Sequence, residues 1–110
     1  MNRKNYITIA RKSAEIQLRE LKKIKKVFDK SFIKAIDAIL NCKGKVIFAG
    51  IGKSGLIARK ISATFSSVGI PSFFCDPAQA LHGDMGQIEK KDILIIFSYS
   101  GNTAELNNML

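Results

Sequence analysis

Three short, predominantly apolar runs predict three buried β-strands. The runs cover Lys45–Ala49, Pro71–Cys75 and Ile93–Phe97. They are continuous rather than alternating, which is typical of strands covered on both faces of a parallel sheet. A helical stretch ending near Gly69 separates the first two runs, and only an irregular or short helical segment separates the last two. This order predicts an α/β fold with a flavodoxin-like parallel sheet and right-handed crossovers.

The residues before the first strand have the apolar spacing of two amphipathic helices. One predicted helix carries its apolar stripe at Ala14, Leu18, Leu21, Ile24 and Phe28. A second helix is expected to begin near Asp29 or Ser31, to end at Gly44 and to turn its apolar side chains inward. Those side chains are Phe32, Ile33, Ile36, Ile39 and Leu40. We therefore expect an N-terminal helical pair at residues 1–43 and a sheet domain at residues 44–110.

The charge of the chain lies in its first part. The formal net charge is +9, and residues 1–45 account for all of it. Lysines between apolar helical positions indicate a solvated basic face. Because no aromatic stacking platform accompanies them, we expect no nucleic-acid partner, with RNA or an acidic surface as the alternative. No apolar stretch approaches about 18 residues and no signal peptide is evident, so we predict a cytoplasmic protein without a membrane partner.

The loop after the third strand has the composition of an anion site. Residues 98–103 read S-Y-S-G-N-T. Hydroxyls and backbone N–H groups are expected to converge there, at a helix that begins near Thr103, and this arrangement suits a phosphate dianion. An ordinary turn of the same composition is the alternative. The candidate substrate-binding residues of this loop are Ser98, Ser100, Gly101, Asn102 and Thr103.

The loop after the first strand is glycine-rich as well. Residues 50–55 read G-I-G-K-S-G, formally a dinucleotide-binding fingerprint, and Asp76 lies where ribose recognition would require an acidic residue. In the flavodoxin-like strand order, 2-1-3-4-5, however, the first strand is flanked by the second and third, and this loop neighbours the hydroxyl-rich one. One crevice shared by both loops suits a small phosphorylated ligand better than an extended dinucleotide. Gly52, Lys53 and Ser54 are therefore candidate site residues.

Four motifs in order resemble the sugar isomerase (SIS) domain of bacterial D-arabinose 5-phosphate isomerases. They are G-K-V-I-F-A-G-I-G-K-S-G at 44–55, P-S-F-F at 71–74, A-L-H-G-D-M-G at 80–86 and S-Y-S-G-N-T at 98–103. The resemblance implies interconversion of D-ribulose 5-phosphate and D-arabinose 5-phosphate, which begins synthesis of the octulosonate sugar of lipopolysaccharide. It also implies a phosphorylated pentose substrate, no required cofactor and a homo-oligomer, a tetramer, that the helical pair helps to build.

The resemblance also implies catalytic roles. Lys53 would stabilise the developing oxyanion or hold the phosphate, and Glu105 would be the general base. His82 would relay protons, assist ring opening or bind a divalent metal such as zinc. The alternatives are that Lys53 is a solvated loop lysine, that Glu105 only stabilises a helix N-terminus, and that His82 is a packed side chain. Asn102 departs from the family, because many relatives have glutamate there.

Length is the larger departure. Family members continue with two more strands and usually a pair of CBS domains. The chain is therefore expected to be the N-terminal half of a SIS domain, truncated after the third strand. By itself it is expected to be inactive and to aggregate through the exposed edge of that strand. A non-catalytic phosphosugar-binding module is the competing interpretation, and a dinucleotide-binding domain is the third.

Overall fold

The computed structural model describes residues 2–80, 84–101, 104–107 and 109. Their contacts divide the chain into two compact units, Met1–Asp37 and Ala38–Leu110. The predicted domain division between residues 43 and 44 stays a prediction.

The first unit is helical. Helix α1 spans Arg3–Lys23, and the side chain of Asn2 caps it by accepting a hydrogen bond from the backbone N–H of Lys4 at 3.1 Å. The predicted apolar stripe runs on to Phe28, but the α-helix ends earlier, because a 3-10 turn occupies Ile24–Val27. Every described side chain of α1 is solvent-exposed to some degree and none is buried.

Helix α2 spans Lys30–Leu40 and runs from the first unit into the second. The prediction that its apolar residues turn inward is wrong for most of them. Only Ile39 is half-buried and packs against the core of the second unit. Helical spacing shows which side chains share a face, but it does not provide a partner to cover that face. The exposed members are Phe32, Ile33, Ile36 and Leu40.

Gly44 was expected to end the second helix, yet α2 stops at Leu40. The structure gives Gly44 a different role, since a Cβ atom at this position would collide with the carboxylate of Asp92. The glycine therefore permits a close approach between two chain segments.

The second unit contains the predicted parallel sheet. Its strands are β1 (Val46–Gly50), β2 (Ser72–Phe74) and β3 (Ile93–Phe97), in the order β2-β1-β3. Both neighbours of β1 pair with it in parallel. The predicted strands, their direction and the central position of the first one are confirmed. The helices between them are α3 (Lys53–Ser67), α4 (Pro77–Ala80) and a 3-10 turn (Asp84–Gln87), and α5 (Ala104–Asn107) follows β3.

Strand β1 is buried on both faces, which explains its continuous apolar sequence. Ile47 and Ala49 face one core cluster with Cys75, Ala80 and Met109. Val46 and Phe48 face the other, against Ala58 of α3. The ring of Phe48 also meets two further rings, edge-on with Phe65 at 5.0 Å and stacked with Phe97 at 6.0 Å between centroids.

One carboxylate ties the amino ends of β1 and β3 together. Asp92 accepts hydrogen bonds from the backbone N–H groups of Lys45 at 2.7 Å and Glu89 at 2.8 Å, and its Oδ2 lies 3.2 Å from the ammonium of Lys45. Its side chain has 0% relative exposure. The two backbone hydrogen bonds hold the pKa of Asp92 below its usual value, against the opposing effect of desolvation. This contact stabilises the register that pairs Val46 with Ile93.

Candidate functional site

The register of the sheet brings the two candidate loops together. Gly50, the last residue of β1, pairs with Phe97, the last residue of β3. Because both strands run in the same direction, the loops that follow them leave from neighbouring points on the carboxyl edge of the sheet. The expected adjacency of the two loops is therefore confirmed at the level of the backbone.

The β1 loop is shaped by its glycines. Gly52 precedes α3 with φ 62° and ψ −128°, a conformation that side-chain-bearing residues rarely adopt. Gly50 and Gly55 touch each other, since a Cβ on Gly55 would lie 2.6 Å from the carbonyl oxygen of Gly50. This contact seats the first turn of α3 directly on the end of β1.

Lys53 is the first residue of α3 and is exposed, whereas Ser54 is half-buried. Within the described part of the chain, no hydrogen bond or ion pair occupies the Lys53 ammonium. A cation with this freedom, next to the carboxyl edge of the sheet, can turn toward a bound anion.

The β3 loop turns sharply. Ser98 Oγ accepts a hydrogen bond from the backbone N–H of Gly101 at 2.8 Å, and Gly101 has φ 72°. The Ser98 hydroxyl keeps its own proton available for donation. Ser100 is exposed on the same turn. The loop thus presents hydroxyl groups above the end of β3, as its sequence predicts.

Several candidate residues lie outside what the structure describes. His82, Asn102 and Thr103 are outside the described residues, and Glu105 lies in α5, of which four residues, Ala104–Asn107, are described as helix. One turn has little macrodipole, so a phosphate role for the β3 loop depends on its hydroxyl and N–H donors rather than on a long helix. The roles of all the site residues stay predictions.

A cavity of about 250 Å³ lies on the other side of β1, between the β1 loop, α3 and the end of β2. Its polar side chains belong to Arg59 and Asp76. The guanidinium carbon of Arg59 lies 4.0 Å from the centroid of the Phe74 ring. Sequence analysis singled out Asp76 but not Arg59, because an arginine inside an amphipathic helix carries no positional signal. The lining consists of Gly50, Ile51, Gly52, Gly55, Leu56, Arg59, Phe74, Asp76 and Ala78.

The described residues contain no group of three or more His, Cys, Asp or Glu side chains placed to hold a metal ion. Over the same residues, no helix has the length and apolar character needed to cross a membrane.

An open parallel sheet with two polar loops at its central switch point is an architecture that places a ligand site at the carboxyl edge of the strands. The SIS domain model matches residues 39–110, and the chain belongs to this family. The match covers the whole sheet and both candidate loops.

The names of individual relatives and solved structures are consistent with this family assignment. The arabinose 5-phosphate isomerase GutQ of Escherichia coli K12 is 44% identical over 101 residues, which are 92% of this chain and 32% of that protein. A crystal structure of a sugar-phosphate isomerase from Listeria monocytogenes superposes with a TM-score of 0.92 at 31% identity, over 99% of this chain and 58% of that one. The c3406 protein of E. coli CFT073, solved in complex with arabinose 5-phosphate, has a TM-score of 0.83 and 42% identity over 100% of this chain and 58% of its own. The chain thus spans about a third of the length of its curated relatives.

Proposed function

We propose that this protein is an aldose-ketose isomerase that interconverts D-ribulose 5-phosphate and D-arabinose 5-phosphate. The observation that carries the proposal is the pairing of Gly50 with Phe97, which puts the G-K-S-G loop beside the S-Y-S-G loop. The names of the relatives, and the arabinose 5-phosphate complex of one of them, support the choice of sugar. By resemblance, the reaction belongs to octulosonate and lipopolysaccharide synthesis in the cytoplasm.

The β3 loop supplies the donors for the phosphate in this proposal. The hydroxyls of Ser98 and Ser100 and the backbone N–H groups of the turn donate hydrogen bonds to the phosphate oxygens. The backbone N–H of Gly101 already donates to Ser98, which fixes the direction of the Ser98 side chain. A fixed hydroxyl loses less conformational entropy when the ligand binds.

Isomerisation requires the proton on C2 of the open-chain aldose to be removed and a proton to be delivered to C1. The intermediate is an enediolate, whose negative oxygen needs a nearby positive charge or hydrogen-bond donor. Glu105 is proposed as the base and Lys53 as the cation, because Lys53 begins α3 at the crevice and has no described partner of its own. His82 is proposed to relay the proton between the sugar oxygens or to assist ring opening.

This chemistry moves protons and needs no redox cofactor, so none is proposed. Zinc at His82 stays a prediction from the resemblance. Because His82 lies outside the described residues and no three-ligand cluster occurs among the others, no step of the mechanism is assigned to a metal.

The N-terminal helices are proposed to form part of a homo-oligomer, a tetramer by resemblance. One face of α1 carries apolar side chains that remain exposed, including Leu18 at 60% and Leu21 at 61%. Apolar stripes of this kind are commonly covered by another helix. A second copy of the protein is the partner that the family suggests.

Calorimetric titration of the intact protein tests the proposal. Arabinose 5-phosphate and ribulose 5-phosphate should bind, whereas unphosphorylated arabinose should not. Ser100→Ala removes a donor to a charged acceptor and should weaken binding of both phosphosugars by about 1.5–3 kcal/mol, roughly 10- to 150-fold. The matched control is Ser67→Ala, since the Ser67 hydroxyl donates to Thr64 at the far end of α3 and should not affect affinity.

An unchanged affinity in the Ser100→Ala variant would contradict the assignment of the phosphate loop. Turnover is measured in parallel by following the conversion of arabinose 5-phosphate to ribulose 5-phosphate. Tight binding without any turnover would instead favour the non-catalytic phosphosugar-binding module.

A further inference from the structure

The cavity beside β2 contains two charged side chains of opposite sign that are not paired with each other. Arg59 and Asp76 both line it, and the ion pairs found among the described residues do not include either one. Arg59 is exposed and Asp76 is half-buried, so both charged groups are accessible to a ligand that enters from solvent. The lining of this cavity therefore includes a hydrogen-bond donor, Arg59 (the donor wall), and a hydrogen-bond acceptor, Asp76 (the acceptor wall).

The donor wall is held in place. The guanidinium of Arg59 lies over the ring of Phe74 at 4.0 Å, a distance at which a cation is attracted to the face of an aromatic ring. Within the described part of the chain, no hydrogen bond occupies its N–H groups. A guanidinium carries five N–H donors, so those that do not face the ring can still donate hydrogen bonds to a ligand.

The acceptor wall is held as well. One carboxylate oxygen of Asp76, Oδ1, accepts a hydrogen bond from the backbone N–H of Ala78 at 2.9 Å, at the start of α4. This contact orients the side chain, and the second oxygen retains its capacity to accept hydrogen bonds. A free phosphate would meet repulsion from this carboxylate, whereas a sugar hydroxyl both accepts and donates hydrogen bonds and matches the two walls together.

The position of the cavity relates it to the proposed active site. Strand β1 lies between β2 and β3, so the loops after β2 and β3 are separated by two strand spacings, roughly 10 Å. Gly52 lies on the route between them, because it lines the cavity and directly precedes Lys53. This span is comparable with an extended pentose phosphate, and 250 Å³ is below the roughly 300–1,000 Å³ of pockets for larger ligands.

We propose that Arg59 and Asp76 form a specificity subsite that binds the hydroxyl groups of the sugar phosphate, at the end of the ligand away from the phosphate. This inference rests on the proposed function and deepens it. The β3 loop binds the phosphate on C5, and the cavity receives the opposite end of the open-chain sugar, where C1 and C2 react. Lys53, in the first turn of α3 beside the cavity, reaches the C1–C2 oxygens. Arg59 and Asp76 hold the C2 hydroxyl in one configuration, and Glu105 and His82 keep the proton-transfer roles.

Two variants of the intact protein test the subsite by calorimetry. Arg59→Met keeps a flexible apolar side chain against Phe74 and removes the donors. Asp76→Asn keeps an oxygen for the Ala78 N–H and removes the charge. Lys60→Met is the matched control, since Lys60 is the exposed neighbour of Arg59 on α3 and does not line the cavity. The ligands are arabinose 5-phosphate, its C2 epimer ribose 5-phosphate, and inorganic phosphate.

We expect each subsite variant to weaken binding of arabinose 5-phosphate by about tenfold or more, and the preference over ribose 5-phosphate to shrink. Affinity for inorganic phosphate should stay within about twofold of the wild type, as should every affinity of Lys60→Met. Melting temperatures verify that the variants are folded. If Arg59→Met does not fold, the Asp76→Asn variant decides the matter.

Two outcomes would overturn the subsite. One is an arabinose 5-phosphate affinity unchanged in both variants while Ser100→Ala still weakens binding, which leaves the proposed function intact. The other is an equal loss for inorganic phosphate and for the sugar phosphate, which would make Arg59 a phosphate ligand. A wild-type protein that binds no arabinose 5-phosphate would be a failure of the proposed function itself, and the subsite would fall with it.

Discussion

Adding a single methyl group at Gly55 should disturb both the stability of the sheet domain and its ligand site. Gly55 is the third residue of α3, in the G-x-G-x-x-G loop. A Cβ at this position would lie 2.6 Å from the carbonyl oxygen of Gly50, 3.2 Å from its carbonyl carbon and 3.7 Å from the ring of Phe74. The closest atom belongs to the backbone, so no side-chain rotation can relieve the contact.

The sign of the effect follows from two opposing contributions. Alanine is favoured over glycine inside a helix by about 1 kcal/mol. Overpacking costs about 1–3 kcal/mol, and the upper end applies here because the obstructing carbonyl belongs to the central strand, buried on both faces. We therefore expect Gly55→Ala to lower the free energy of unfolding by about 2 kcal/mol. Affinity for arabinose 5-phosphate should fall too, because the displaced Gly50 carbonyl moves the loop that carries Lys53.

Equilibrium unfolding of the intact protein in urea measures the first effect, and calorimetry measures the second. The control is Gly86→Ala, since a Cβ on Gly86 would meet no atom of the described residues within 4 Å and the φ of Gly86 is not positive. Its stability should change by no more than about 0.5 kcal/mol. A Gly55→Ala protein as stable as the wild type would refute the reasoning that close backbone packing requires this glycine.

Three further results are expected. Phe48→Leu should lower the free energy of unfolding by about 1–3 kcal/mol, because two buried ring contacts are lost. Phe28→Leu loses one edge contact with Phe32, but both of those rings are exposed, so its effect in the same denaturation experiment should be smaller. The pKa of Asp92 is lower in the folded protein than its ordinary 3.8, so its stabilising effect is present above that pH and is lost as the pH falls through it and below. Asp92→Asn should therefore lower stability at pH 7 and flatten its acid dependence, and Glu89→Gln, at an exposed ion pair, should do neither. Glu105→Gln should abolish proton exchange at C2 of the sugar with little change in affinity, and wild-type exchange in that variant would return Glu105 to a structural role.

The sheet was predictable because a strand that is buried on both faces has a continuous run of apolar residues in the sequence. Strand β1 is covered by one cluster on each side, so all of its positions are apolar and the run stands out from the surrounding chain. The observed order β2-β1-β3 is the one expected of a flavodoxin-like sheet, and the adjacency of the two loops followed from that order. The glycines indicated tight turns in both loops, and the positive φ values of Gly52 in the β1 loop and Gly101 in the β3 loop confirm this.

The helices show the limit of the same reasoning. A helical stripe looks identical in sequence whether its partner is the core of its own domain or another molecule. The expectation that Phe32 and Ile33 turn inward failed for this reason. The role of Gly44 was misread as well, because its need to be small comes from Asp92, a residue far away along the chain.

The sequence by itself determined the strands, their parallel order and the two loops at the carboxyl edge, because those features depend on local polarity and on the short range of chain connections. Only the tertiary structure decided which side chains share a cavity. Arg59 and Asp76 are separated by the rest of α3, a loop and a strand, and their presence in the lining of one cavity depends on how α3 packs across β1 and β2. That packing arises from contacts between distant residues, and no local pattern records it.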